Sequence, residues 1–207
     1  MTEMHAARGS RLGDVLAEIS QGSNPEIRLG ELIEAIGDRG HGLLIAAFAL
    51  PNVLPIYLPG LSAVFGLPLV FVALQLVLGR HRLWLPRALL RRSVSRPLIA
   101  RLAVALAPWL ARLERALKPR WPEVVGPVTE RLAGMLAVLL GLLLSLPIPL
   151  TNIPLSAPLV LLGLALAEED GLMLVIALAL GAAVAAIVLT VSGALFLAAI
   201  AWLASLI

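Results

Sequence analysis

Several side chains on which soluble enzymes depend are scarce in this chain of 207 residues. It has no cysteine, which excludes disulfides, thiolate chemistry and cysteine-based metal sites. Its three histidines, His5, His41 and His81, have no second ligand at metal-binding spacing, so we expect neither a metal nor another cofactor. No serine has the histidine and aspartate neighbours of an activated nucleophile, so we predict that the protein is not an enzyme.

Charged side chains are also missing from three long stretches, residues 40–79, 132–167 and 171–207. The chain is 60% hydrophobic and only 14% charged, whereas a soluble domain is closer to a quarter charged. A bilayer core of about 30 Å needs roughly 20 helical residues, so each stretch is long enough for two passes or a deep hairpin. We therefore predict an all-α fold, a polytopic bundle of membrane helices.

The first 40 residues differ from these stretches. They hold seven acidic side chains and no long apolar core, which is not typical of a cleaved signal peptide. Apolar residues at helical spacing predict two amphipathic helices, the second beginning at Asn24-Pro25: Leu12, Val15, Leu16 and Ile19, then Leu29, Leu32, Ile33 and Ile36. We expect residues 1–40 to be a cytoplasmic or interfacial segment.

Positive charge is concentrated in residues 80–131. Residues 79–131 hold twelve of the sixteen Lys and Arg residues but only three glutamates, which places this segment in the cytoplasm by the positive-inside rule. A leucine stripe from Leu98 to Leu117, kinked at Pro108, predicts a helix lying on the membrane surface. We expect its partners to be membrane lipids, with anionic headgroups at residues 80–120, rather than nucleic acid. Trp84 and Trp109 are predicted interfacial anchors.

Helix breakers interrupt the first two uncharged stretches. They are Pro51, Pro55, Pro59 and Gly60 in residues 41–79, and Pro147, Pro149, Pro154 and Pro158 in residues 132–170. Each stretch is thus predicted to be a broken, re-entrant-like hairpin whose turn is buried in protein or lines a wet cavity. For residues 171–207 we expect a spanning helix to about Thr190, a break or bend near Ser192-Gly193 and a shorter terminal helix. Gly-x-x-x-Gly does not mark a clear dimer stripe, so we predict no glycophorin-like contact between chains.

The two broken stretches carry an internal repeat. Pro55 and Pro149 are each followed, after five residues, by Leu-Ser-Ala, at Leu61 and Leu155 respectively. Paired proline-interrupted segments in two halves are a pointer to a transporter site. If each stretch enters and returns on one side, the repeats are related by an axis along the membrane normal. An inverted arrangement needs an odd number of crossings between them.

The polar residues at these breaks are the predicted substrate site. Helices starting near Leu61 and Leu155 would point their positive N-terminal ends into the membrane, where they favour anions. The predicted substrate-binding residues are Pro51, Asn52, Pro55, Tyr57, Ser62, Gln75, Pro147, Pro149, Thr151, Asn152, Pro154 and Ser156. The alternative is that they satisfy local backbone groups, and for Gln75 we favour a clamp between helices.

A second group of charged residues flanks the uncharged stretches. Asp38, Arg39, Glu168 and Asp170 are candidates for a gate or ion site at the mouth of a cavity. The alternative is a solvated cluster at the membrane interface.

A family resemblance rests on short motifs in order. They are Gly30-Glu-Leu-Ile-Glu-Ala-Ile-Gly-Asp-Arg-Gly-His-Gly42, Leu50-Pro-Asn-Val-Leu-Pro55, Gln75-Leu-Val-Leu-Gly-Arg80, Trp84-Leu-Pro86, Lys118-Pro-Arg120, Pro147-Ile-Pro149, Asn152-Ile-Pro154 and Glu169-Asp170-Gly171. From about residue 28 to 190 the chain resembles the ExoD family of bacterial exopolysaccharide-synthesis membrane proteins. It departs at Pro55-Ile-Tyr-Leu-Pro-Gly60, where a tighter proline cluster is expected. The paired broken hairpins are also similar in style to DedA-like proteins, which are associated with lipid translocation.

The resemblance implies a role in exopolysaccharide production in the bacterial inner membrane, with links to alkaline tolerance, and implies no biochemical activity. We expect a small transporter or lipid-carrier translocase for an anionic or lipid-linked substrate, such as a polyprenyl-phosphate sugar or a phospholipid. The alternative is a non-transporting accessory that organises a polysaccharide synthase. Its partners would be polysaccharide-synthesis proteins or a second copy of the chain.

Overall fold

The computed structural model describes residues 26–28, 37–53, 61–80, 83–84, 93–95, 120–146 and 151–205. Five α-helices account for most of them, which confirms the predicted helical class: α1 Gly40–Val53, α2 Leu61–Val77, α3 Pro127–Ser145, α4 Asn152–Ala167 and α5 Gly171–Ala204. Short 3₁₀ turns, Gly37–Arg39 and Pro122–Val124, precede α1 and α3.

One small strand pair was not predicted. Strand β1, Glu26–Arg28, pairs antiparallel with β2, Ser93–Ser95, and Ile27 lies opposite Val94. A helix beginning at Asn24-Pro25 is therefore wrong for residues 26–28, because a β-branched pair brought together by the fold outweighs a local helix signal. The other residues of the two amphipathic helices and the leucine stripe of residues 98–117 lie outside the described ones.

The four shorter helices form two pairs, and each pair joins a helix of one hydrophobic stretch to a helix of the other. The main partner of α1 is α4, and the main partner of α2 is α3, while α5 packs against α4 and α3. The helix before one predicted break thus packs against the helix after the other break, in both pairs. The core between them is formed by small and branched apolar residues, among them Ile45, Leu69, Leu140 and Leu159, all fully buried.

Glycines bring both helix pairs into close contact. A Cβ on Gly42 of α1 would overlap the carbonyl oxygen of Gly163 in α4, and a Cβ on Gly134 of α3 would lie 2.9 Å from the backbone nitrogen of Val77 in α2. Small residues are what allows membrane helices to approach at backbone distance. These glycine contacts join helices of one chain.

Neighbouring contacts fix the directions of the helices. Gly42 lies against Ala167, while Gly163 lies against Ala46, so α1 and α4 are antiparallel. The helices α2 and α3 are antiparallel for the same reason. Gly134, early in α3, lies against the last turn of α2, and Ser145, at the end of α3, lies against Gly66 in the second turn of α2.

The last helix runs parallel to α3. Gly171 at its start contacts Val124, just before α3, and Gly181 contacts Leu136 and Leu140. Because only residues 168–170 separate α4 from α5, these two helices are antiparallel. It follows that α1, α3 and α5 point one way, and α2 and α4 point the other.

These directions give the bundle two unlike ends. We call the end where α1 and α3 finish and α2 and α4 begin the tip end. The opposite end is the charged end, because the charged residues that border the described helices lie there: Asp38, Arg39, Arg80, Arg120, Glu123, Glu130, Arg131, Glu168, Glu169 and Asp170.

The helix α5 extends past the tip end. Among its described side chains the buried ones recur every three or four positions and none lies beyond Val188: Gly171, Leu174, Ala177, Gly181, Ala185 and Val188. Since Gly181 is level with Leu136 and Leu140, the last four turns of this helix lie beyond the end of α3, a projection of about 20 Å.

No break divides α5. It is one helix through Ser192-Gly193, so the predicted break and separate terminal helix are wrong. A glycine inside a helix costs only about 1 kcal/mol relative to alanine, and without a proline the backbone hydrogen bonds run on.

Within the described ranges, two helices are long and apolar enough to cross a membrane, namely α3 and Gly171–Trp202 of α5. The helices α1, α2 and α4 are also apolar but have only 14, 17 and 16 residues. This length and composition support an association with membranes.

Candidate functional site

The tip end contains the buried polar residues of the predicted substrate site. Asn52, in the last turn of α1, is 2% exposed, and Ser156, in the second turn of α4, is fully buried. Because α1 and α4 are antiparallel and Ala46 meets Gly163, Asn52 lies at the level of Ser156. Ser62 is half-buried in the first turn of α2, at the same end of the bundle.

The Asn52 carboxamide is only half satisfied within the described part of the chain. Its Nδ2 donates a hydrogen bond to the carbonyl oxygen of Phe48, 3.3 Å away, but its Oδ1 accepts none from a described residue. A buried amide oxygen without a donor costs about 1–3 kcal/mol. Asn52 is therefore the described polar group at the tip end with the strongest demand for a partner.

Ser156 has a different local environment. Its hydroxyl donates to the carbonyl oxygen of Asn152, 2.6 Å away, with a longer contact to that of Ile153. This bond to its own helix satisfies the donor and leaves oxygen lone pairs available. Ser156 can thus accept a hydrogen bond but has no donor to offer.

The start of α4 contributes backbone donors. Thr151 precedes the helix and its side chain makes no capping bond, while its carbonyl oxygen accepts from Leu155. The first-turn amides of Asn152 and Ile153 have no acceptor inside the helix, and Pro154, which is exposed, has no amide hydrogen.

The remaining predicted tip residues are distributed as follows. Pro51 lies inside the last turn of α1 and is half-buried. Pro55, Tyr57, Pro147 and Pro149 lie outside the described residues. The structure also adds a residue that the sequence reasoning missed: Ser145, whose hydroxyl donates to the carbonyl of Gly141 and packs against Gly66. Its only sequence signal is its place just before the Pro147 cluster.

Gln75 does not lie at the tip end. It is 4% exposed near the end of α2, at the charged end, and pairs with the main chain of Trp84. The Trp84 amide donates to Oε1 at 2.7 Å, and Nε2 donates to the Trp84 carbonyl oxygen at 3.1 Å. This side chain anchors the segment that follows α2 and holds Trp84 in place.

The charged end is built from tight helix caps. After α2, the amides of Gly79 and Arg80 bond to the carbonyl oxygens of Leu76 and Gln75, a Schellman cap in which Gly79 has a φ of 68°. After α4, the amide of Asp170 bonds to the carbonyl oxygen of Ala165, and Glu169 takes the left-handed position with a φ of 52°.

The predicted gate residues lie among these caps. Asp170 is 1% exposed, and its Oδ1 accepts from the amide of Met173, which caps the N-terminus of α5. Glu168 is half-buried beside it, and Arg39 is half-buried just before α1. The side chain of Asp38 lies outside the described part. Buried His41 in the first turn of α1 was not predicted as part of this group.

A backbone contact locks the same region. The amide of Gly171 donates to the carbonyl oxygen of Arg120, 2.8 Å away, and a Cβ at Gly171 would collide with the Trp121 carbonyl. This contact joins the start of α5 to the turn before α3, while the Asp170 carboxylate caps α5 itself. In the described ranges, no group of three or more His, Asp or Glu side chains could hold a metal ion.

Comparison with known proteins identifies the family. The family model described as "Exopolysaccharide synthesis, ExoD" matches residues 12–191. The chain belongs to the ExoD family. This confirms the resemblance inferred from the motifs, and ExoD proteins are involved in exopolysaccharide synthesis.

Two relatives show how far the similarity extends. Protein ExoD of Rhizobium meliloti (strain 1021) is 33% identical over 151 residues, which cover 71% of this chain and 62% of that protein. An uncharacterized protein of Synechocystis sp. is 31% identical over 150 residues, covering 72% of this chain and 71% of that protein. No solved structure matches the chain.

Proposed function

We propose that this ExoD-family chain is a multi-pass protein of the bacterial inner membrane that works in exopolysaccharide synthesis as a non-enzymatic translocase. Its substrate would be an anionic, lipid-linked sugar such as a polyprenyl-phosphate sugar, bound at the tip end.

The two unlike ends support this membrane placement. Helices α1–α4 are about 21–28 Å long at 1.5 Å per residue, shorter than a hydrocarbon core of about 30 Å, so helices that start at one membrane surface end inside the core. With the charged end at the cytoplasmic surface, as the positive charge of residues 80–131 favours, the tip end lies deep in the bilayer. The helix α5, about 51 Å long, is then the segment that reaches the far side.

The way the helices pair supports the proposal that the chain consists of two related halves. The pairs α1–α4 and α2–α3 are both antiparallel and both use glycine contacts. Exchanging the two halves exchanges one pair for the other, which is the expectation for repeats related by an axis along the membrane normal. The site at the tip end would then lie near that axis.

The buried Asn52 carboxamide carries most of the support for the substrate site. A sugar hydroxyl can donate to its Oδ1, which has no donor among the described residues. The amides at the start of α4 would face the phosphate, because helix N-termini favour anions. Both ligand groups, hydroxyl and phosphate, occur together in a lipid-linked sugar phosphate.

The test is transport by purified protein reconstituted in liposomes, with a fluorescent polyprenyl-phosphate sugar as substrate. We expect the wild type to move the lipid between leaflets and Asn52→Leu to slow it at least tenfold. Thr190→Val, which removes an exposed hydroxyl from α5, is the matched control and should transport normally. Transport by Asn52→Leu at the wild-type rate would refute the site.

A second candidate function is a non-transporting scaffold for a polysaccharide synthase. The observation that favours it is the apolar end of α5, where Leu195, Phe196 and Leu197 are each 67% exposed. Liposomes without any lipid movement, together with loss of polymer in cells when Leu195 and Phe196 are replaced by serine, would favour the scaffold over the translocase.

A further inference from the structure

Two arginines border the turn that ends α2. Arg80 follows Gly79 directly, and the guanidinium of Arg131 in α3 lies beside Gly79. A Cβ at position 79 would be 2.9 Å from Nη2 and 3.4 Å from Nε of Arg131. Glycine is therefore required at position 79 for two reasons: its positive φ and the close approach of this guanidinium.

The neighbouring aromatic side chain is held in place by three contacts. The main chain of Trp84 is bonded to the buried Gln75 amide, and its ring lies 6.1 Å from that of Phe71. The Arg80 guanidinium carbon lies 5.8 Å from the centre of the Trp84 ring, within cation–π range. Arg80 and Trp84 are thus placed together before any ligand binds.

These cations lack acidic partners in the described part of the chain. Arg80 and Arg131 are both exposed, and neither makes an ion pair with a described carboxylate. Two arginines that border one turn place positive charge there without a described acidic partner, which favours a bound anion. A guanidinium also matches the geometry of phosphate oxygens better than an ammonium does.

The exposed side chains near this turn indicate which class of anion would bind there. Exposed apolar side chains continue from this turn along α2 and α3 toward the tip end, among them Leu74, Leu78, Leu132 and Met135. A ligand with a phosphate at the charged end and hydrocarbon beside these helices has the shape of a phospholipid. Trp84, half exposed at the same level, is suited to the membrane interface.

We propose that Arg80, Arg131 and Trp84 form a binding site for the phosphate group of an anionic membrane lipid. The site rests on the membrane placement proposed above but is separate from the tip end and from transport. It assigns a function to the Gln75-Leu-Val-Leu-Gly-Arg80 and Trp84 motifs: Gln75 and Gly79 position the groups that contact the lipid.

The experiment measures binding to the full-length protein in a nonionic detergent. The probes are dihexanoyl phosphatidylglycerol, dihexanoyl phosphatidylcholine and inorganic phosphate, each titrated by microscale thermophoresis. We expect phosphatidylglycerol to bind at least tenfold more tightly than the other two. The double variant Arg80→Gln/Arg131→Gln should lose at least tenfold in this affinity, while the control Arg120→Gln, another exposed arginine of the charged end, should bind normally.

Three other outcomes would contradict the proposed lipid site. Equal binding of inorganic phosphate would indicate a free-phosphate site rather than a lipid site. An equal loss in Arg120→Gln would indicate nonspecific attraction to basic charge. Unchanged binding by the double variant would overturn the proposal outright.

A lysine variant and the independence of binding from transport cover two cases, a misfolded glutamine variant and a protein that does not transport. If the glutamine variant loses its helical circular dichroism, Arg80→Lys/Arg131→Lys replaces it. This variant keeps the charge but loses the planar fork, so binding should weaken at least threefold, and unchanged binding would refute a guanidinium site. Because binding is measured without transport, an inactive protein with intact lipid binding would refute only the translocase.

Discussion

Gly42 and Gly163 exclude each other's side chains: a Cβ on either residue would lie against the carbonyl oxygen of the other, at 2.5 Å when built on Gly163. The obstacle is backbone on both sides, so no side-chain rotation can relieve it. The α1–α4 contact, and with it the position of Asn52 beside the start of α4, depends on these two glycines. They are therefore the first positions at which the packing can be tested.

Replacing Gly163 by alanine should destabilise the protein by about 1–3 kcal/mol, because overpacking at a backbone contact outweighs the helix propensity that alanine gains. The measurement is thermal unfolding in detergent. The matched control is Gly193→Ala in α5, where a Cβ meets nothing within 4 Å, and this substitution should be neutral or stabilising by up to about 1 kcal/mol. Equal effects of the two substitutions would show that the close α1–α4 contact does not exist.

The left-handed residue after α4 is a position where a substitution should stabilise the protein rather than destabilise it. Glu169 is exposed and has a φ of 52°, a conformation that favours glycine by roughly 1 kcal/mol. Glu169→Gly should therefore raise the unfolding temperature. The corresponding residue after α2 is already glycine, so Gly79→Ala should lower it. A lower unfolding temperature for Glu169→Gly would contradict the helix end described here.

Much of the helical architecture follows from composition and proline position. Uncharged apolar stretches of 36 to 40 residues without period-two alternation are typical of helices, and α1 ends and α2 begins on either side of the Pro55-to-Gly60 cluster. The start of α2 at Leu61 matches the predicted position. These features are local, so a single sequence contains them.

The features that sequence reasoning missed depend on partners far along the chain. The Gly42–Gly163 contact joins residues in different halves, and Gly163-x-x-x-Ala167 carries no signal that names Gly42 as its partner. Strand β1 pairs with a segment more than 60 residues away. Glu169 was overlooked as a cap residue because left-handed positions are expected at glycine.

For the candidate site, sequence reasoning identified residue types better than it identified neighbours. Asn52 and Ser156 are indeed buried at one end, but Gln75 lies at the other end, bonded to a main chain that no periodicity links to it. The predicted break in α5 is wrong because a lone glycine does not end a helix.

The Gln75 amide gives a local test of the segment after α2. Gln75→Leu removes both bonds to Trp84 and leaves a main-chain amide without its acceptor, at a cost of about 1–3 kcal/mol. Hydrogen–deuterium exchange should then be faster at the Trp84 amide, whereas exchange in α3 is expected to change little. Unaltered protection at Trp84 would mean that this amide pair is not formed.

The absence of native cysteine allows the membrane placement itself to be measured with single spin labels. Arg120→Cys marks the charged end, Leu146→Cys marks the tip end at the close of α3, and Ser205→Cys marks the far end of α5, all at exposed positions. The measurement is collision of each nitroxide with oxygen, which concentrates in the bilayer, against a water-soluble nickel chelate, in liposomes of reconstituted protein. We predict that the label at 146 is reached mainly by oxygen, and the labels at 120 and 205 mainly by the chelate. Access of the chelate to position 146 equal to its access to position 120 would contradict a bundle whose tip end lies deep in the membrane.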